Sequence, residues 1–200
     1  MKSSTKLNSL ALALALTIPL AAQAESTVQT GGGALTANAR VDFSIVIPKI
    51  LFLRVGTAGA GIDLITFTVP SGSVGNSTPI AGTGGDLTGG VVTAVVQANS
   101  GTVTLNAQAT GALSDGAAGD TISYSQIATS AATNTTATIL QAPVLANGTS
   151  ANITLTPVSK IVNQDAKWTY TYSNTAVVPA GTYGGINTNN GRVTYQATMP

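Results

Sequence analysis

The sequence predicts an all-β chain built as an antiparallel sandwich. Three observations predict it. Apolar and polar residues alternate in run after run, threonine and valine are abundant, and Gly, Asn, Asp, Ser and Pro gather between the runs. A period of two sends successive side chains to opposite faces of a strand. β-branched residues fit a pleated, half-buried surface, and the intervening residues supply turns, because glycine tolerates positive φ and Asn or Asp bonds its own backbone. No segment combines a sustained helical period with caps.

The elements follow in order. Val41, Phe43, Ile45 and Ile47 take every second place in ARVDFSIVI, and Pro48, which has no N–H to give a ladder, ends that strand. Ile50 to Val55 (ILFLRV) resumes as an apolar run, and Ile62 to Val69 (IDLITFTV) reads as another strand. Val91 to Ala98 follows, then Thr102 to Ala109 with Val103, Leu105, Ala107 and Ala109 on one face. Thr121 to Ile127 and Ala151 to Thr156 are shorter, and residues 128–138, rich in Ala and Thr, read as a loop or an edge. Lys167 to Ser173 sets Trp168, Tyr170 and Tyr172 on one side and threonines on the other. Arg192 to Met199 closes the chain with Val193, Tyr195, Ala197 and Met199 in alternation. Short strands separated by turn signals are the pattern of an antiparallel sandwich.

Ahead of these strands stands a secretory signal. Lys2 and Lys6 give a positive start, Leu10 to Leu20 an apolar stretch, and Ala22-Gln23-Ala24 a cleavage site of small residues. The apolar stretch is shorter than the roughly 20 residues a membrane span needs, and no later run is long enough to cross a bilayer. The expected organisation is a signal peptide at 1–24, an N-terminal extension at 25–47 and a β-sandwich domain at 48–200. Eight basic residues stand against seven acidic ones in the whole chain; without Lys2 and Lys6 the balance is six against seven, a formal charge of −1. Arg40, Lys49, Arg54, Lys160, Lys167 and Arg192 are scattered, so there is no electrostatic footprint for nucleic acid or for an anionic membrane.

Composition removes whole classes of chemistry. The chain has no Cys and no His, which excludes thiol nucleophiles, disulfides, thiolate zinc sites, an imidazole base and a Ser-His-Asp triad. Carboxylates are the remaining acid/base candidates, but Asp42, Asp63, Asp86, Asp115, Asp120 and Asp165 are separated and mostly adjoin glycine or strand ends. Turn formation explains them better than a catalytic pair across a substrate bond. Asp115 and Asp120 flank Gly-Ala-Ala-Gly without the dense oxygen ligands of a calcium loop, and read as a turn. The N-x-[ST] triplets at Asn76, Asn134, Asn147 and Asn152 arise by chance in so Asn- and Thr-rich a chain. A Lys–Asn isopeptide is not expected either. The reading is a non-enzyme without metal or cofactor.

Trp168, Tyr170 and Tyr172 could form a platform for a glycan if their common face were exposed. Alternation with threonine favours a core face instead. The first apolar strand poses the sharper question. Residues 25–36 are polar and Gly-rich, after which Ala37, Ala39, Val41, Phe43, Ile45 and Ile47 present six apolar side chains at two-residue spacing. Such a strand must pair with something. It can pair within its own sandwich, or it can enter the sheet of a neighbouring subunit.

Here the chain resembles the fimbrial major subunits (pilins) exported by chaperone–usher systems, and among them the cysteine-free class 5 colonisation pilins. The residues that carry the resemblance are the signal peptide, the early segment Thr36-Ala-Asn-Ala-Arg-Val-Asp42, and Pro179-Ala-Gly-Thr-Tyr-Gly-Gly185 before the last strand. The likeness covers both ends better than the middle. The chain departs from many pilins in ending Met199-Pro200, with its nearest aromatic, Tyr195, further back.

The resemblance implies an incomplete immunoglobulin-like sandwich, completed by donor-strand exchange. A periplasmic chaperone would fill the groove first, during assembly at an outer-membrane usher. The next subunit's Ala37, Ala39, Val41, Phe43, Ile45 and Ile47 would then replace it. It also implies self-association into an extracellular filament after transit of the periplasm. Low ionic content suits that role, because neutral faces can be buried between subunits without unpaired charge. The alternative is a monomeric secreted β-sandwich, a binding module for glycans or a biofilm-matrix protein.

Overall fold

The computed structural model describes residues 26–117 and 119–200. The predicted signal peptide, 1–24, lies outside the described residues, as does Glu25. The chain divides between Ile47 and Pro48 into two units. Among the described residues of the first, 26–47, residues 31–33 form a bend and no helix or strand occurs. The Thr27 hydroxyl donates to the Asn38 carbonyl at 3.0 Å.

The second unit is all-β. Its strands are β1 (Leu51–Val55), β2 (Ile65–Thr66), β3 (Ile80–Ala81), β4 (Thr83–Gly84), β5 (Val91–Ala98) and β6 (Val103–Ala109). They continue with β7 (Leu113–Ser114), β8 (Thr121–Ile122), β9 (Ile127–Ala132), β10 (Ile153–Leu155), β11 (Val162–Tyr172) and β12 (Val193–Thr198). One sheet runs β1-β5-β11-β3, with β9 on the other side of β11; the second runs β10-β6-β12. Two short ladders join β2 with β4 and β7 with β8, and every ladder between these strands is antiparallel. Isolated bridges add to them, of which Ile139 with Asp165 is parallel.

The core lies between the inner faces of these two sheets. Val92, Ala94, Val96 and Ala98 of β5 and Ala166, Trp168 and Tyr170 of β11 are buried, as are Val103, Leu105 and Ala107 of β6. Contact across the gap is direct. The Trp168 and Tyr195 rings lie 5.3 Å apart, and the Tyr170 and Tyr195 hydroxyls are 2.7 Å apart. The architecture is therefore sandwich-like, with period-two burial on each sheet setting which side chains meet.

Several strand limits differ from expectation for physical reasons. The alternation at residues 41–47 forms no strand. Within Ile62 to Val69 only Ile65–Thr66 joins a ladder, because its partner offers just two residues, Thr83 and Gly84; yet Asp63, Ile65, Phe67 and Val69 still turn inward. Thr121 to Ile127 is interrupted by a 3₁₀ turn at Tyr124–Gln126, started by Ser123, whose side chain accepts from the Ser125 N–H. Residues 127–132 are an edge strand on β11. β11 begins at Val162, five residues before the aromatic run suggested.

That upstream half of β11 was masked by two buried polar residues, Gln164 and Asp165. Asp165 has no cationic partner among the described residues. Its carboxylate instead accepts the backbone N–H and the hydroxyl of both Thr135 and Thr136, and the Asn134 amide at 2.9 Å. Burial alone would raise its pKa. The threonine hydrogen bonds outweigh burial and hold it well below the usual carboxylate range.

Candidate functional site

The candidate donor residues are all exposed. Phe43 is 89% exposed and Ile45 86%, and Ala37, Ala39, Val41 and Ile47 fall in the same class. Val46, on the opposite side of the alternation, is equally open. A peptide that presents large apolar side chains to water and forms no ladder of its own is of the kind that adds to a sheet edge.

Its point of exit from the folded unit is fixed by one residue. Asn99, just after β5, donates from Nδ2 to the Pro48 carbonyl at 2.8 Å. Its Oδ1 accepts the Ile50 N–H at 2.8 Å, and its own N–H donates to the Ile50 carbonyl at 3.3 Å. Pro48 contributes a fixed φ and withholds a donor. Pro48, where the second unit begins, is therefore held against the end of β5. Asn99 was missed in the sequence, where Asn-Ser-Gly reads only as a turn.

Two of the open sheet edges adjoin each other. β1 pairs only with β5, and β12 only with β6. They are edge strands of different sheets and lie side by side, with no ladder between them among the described residues. The Lys49 ammonium donates to the Pro200 carbonyl at 2.9 Å, which puts the start of β1 beside the end of β12. Along this seam Leu53, Val55, Val193, Tyr195, Ala197 and Met199 pack on the core but are only partly buried.

Trp168, Tyr170 and Tyr172 lie on a core face, the reading their alternation with threonine favours over an exposed platform. Trp168 is 0% exposed, and Tyr170 and Tyr172 are also buried. Trp168 Nε1 donates to the Leu140 carbonyl at 2.7 Å, and Tyr172 packs on Phe67 with ring centres 6.1 Å apart. β11 is central in its sheet, so the face that carries the rings is covered by the second sheet and no stacking surface is left for a sugar.

The carboxylates serve the backbone. Asp63 accepts the Thr57 N–H and hydroxyl, Asp86 the Thr93 N–H, and Asp115 the Ala117 N–H. No group of three His, Cys, Asp or Glu residues suited to a metal occurs among the described residues. None of the described helices is long and apolar enough to cross a membrane. Comparison with family models, with curated proteins and with solved structures finds no match for this chain.

Proposed function

We propose that the protein is a structural subunit of an extracellular fimbria-like filament, assembled when Ala37–Ile47 of one copy adds as a strand to the sandwich of the next. The observation that carries this reading is the exposure of six apolar side chains at strand spacing on a segment that forms no strand of its own. The seam between β1 and β12, whose strands would part to admit another, supplies an acceptor with no ladder across it and a partly covered core beneath. An added strand would satisfy both donor and acceptor in one step. In this reading the signal at 1–24 directs secretion, and a periplasmic chaperone and an outer-membrane usher hold the seam until exchange.

The test is electrophoretic. Purified mature protein is expected to run as a ladder of multimers in SDS without heating, and to collapse to one band after boiling. Deleting residues 25–47 should remove the ladder. Multimers that persist unchanged in that variant would overturn the proposal.

A further inference from the structure

At one end of the outer face of the three-stranded sheet lies a polar cleft of about 440 Å³. Its floor is Gln108 and Thr194, cross-strand partners on β6 and β12. Its wall is the loop Asn187-Thr-Asn-Asn-Gly-Arg192. We infer that this cleft binds a carboxylated saccharide, a site independent of the proposed strand exchange.

The wall is rigidly built. Asn187, Asn189 and Asn190 all hold positive φ, near 50° to 57°. The Asn190 carbonyl accepts the buried Tyr124 hydroxyl at 2.6 Å, its side chain donates to the Ala112 carbonyl at 2.9 Å, and Ser114 N–H donates to the Asn189 carbonyl at 3.0 Å. The floor is ordered too, since Gln108 Nε2 donates to Gln196 Oε1 at 3.0 Å. A site fixed in this way loses little freedom when a ligand arrives.

Among the uncommitted groups of the cleft, two can recognise a ligand by charge or by an amide. The Asn187 side-chain amide and the Arg192 guanidinium have no hydrogen-bond or ionic partner among the described residues. No carboxylate lines the cleft, so Arg192 is its sole formal charge. Planar amides and hydroxyls match the vicinal hydroxyls of a sugar ring, and the guanidinium fork matches a carboxylate. The size falls within the roughly 300–1,000 Å³ of small-ligand sites, and eight of the ten lining residues carry a polar side chain. A lone cation on a near-neutral chain is too little for a polyphosphate backbone.

Saturation-transfer NMR on the full mature chain tests this, with sialyllactose and a hyaluronan tetrasaccharide as acidic probes and lactose as the neutral control. Transfer to at least one acidic probe and not to lactose is expected, and which one responds separates sialic from uronic acid. Arg192→Gln should weaken binding about tenfold or more, equivalent to about 1.4 kcal/mol, with melting unchanged. Asn187→Ala should weaken it several-fold. The inference fails if neither acidic probe responds at millimolar concentration, if lactose binds equally well, or if Arg192→Gln leaves the signal intact.

Discussion

β6 and the segment Ala37–Ile47 carry the same pattern and meet opposite fates. Both alternate apolar with mostly polar residues. In β6, Val103 and Leu105 are fully buried, with β10 on one side and β12 on the other. In the N-terminal segment, Phe43 is 89% exposed and no strand forms. The difference teaches that a period of two states the need for a sheet without saying whose. What separates the two is the punctuation around them. β6 follows the Asn99-Ser-Gly101 turn, where Gly101 takes φ 82° and carries the chain from one sheet to the other. Ile47 is followed by Pro48, whose carbonyl Asn99 holds in place.

The largest way to break the buried side of this comparison is Trp168→Ala. Removing the ring should cost about 3–5 kcal/mol and leave the Leu140 carbonyl without its donor, as read from urea unfolding. A loss below about 1 kcal/mol would mean that the sheets do not meet on this ring.

Asp165→Asn is next. The new amide would turn an NH₂ group toward donors that need an acceptor, and a cost of about 2–3 kcal/mol is expected. The same site sets the acid limb of stability. Because its pKa is depressed in the folded chain, its contribution is complete above the unfolded value near 4 and is lost as pH falls through that value and below. The alkaline limb has the opposite sign. Burial pushes Tyr124 up to about 12; Tyr170 also reaches about 12, raised by burial against a lowering bond from Tyr195. Their contribution is complete below the unfolded value near 10 and is lost as pH rises from there toward 12. Melting temperatures measured across pH should therefore fall at both ends, and Asp165→Asn should flatten only the acid end.

Much of this was legible in the sequence, and the failures share a cause. β5, β6 and β12 were legible because each turns one apolar face inward along its length, buried in β5 and β6 and half-buried in β12. Asp165 hid the first half of β11 because a charge on a strand reads as solvent-facing; here it is buried, and its partners, Asn134 to Thr136, lie some thirty residues upstream. The two-residue strands β3, β4 and β7 were illegible since their existence depends on a partner's position and not on their own pattern. The cleft was missed for a similar reason. Gln108 and Asn187 meet only through the β6–β12 ladder, and Asn-rich loops read as turns.

A smaller effect tests the hinge between the two regions. Asn99→Ala removes the hydrogen bonds to Pro48 and Ile50 and should cost about 1–2 kcal/mol. If the clamp directs the exit of the N-terminal segment, multimer yield on unheated gels should fall further than this loss of stability explains. Matching the stability loss with a mild core substitution such as Val96→Ala supplies the control. Equal yields from the two variants would reduce Asn99 to an ordinary turn residue.

The smallest expected effect on folding is the most discriminating. Phe43→Asp places a charge on a side chain that is already in water, so the dilute chain should keep its stability within about 0.5 kcal/mol. Strand addition between copies, in contrast, makes apparent stability rise with protein concentration, because the partner binds only the folded state. The wild-type melting temperature should therefore climb as the protein is concentrated, and that climb should vanish in Phe43→Asp, where inserting the segment would bury an unpaired carboxylate. Were Phe43 part of its own sandwich, the same substitution would destabilise the dilute chain by several kcal/mol at every concentration. Concentration dependence thus separates a strand waiting for another copy from one already home.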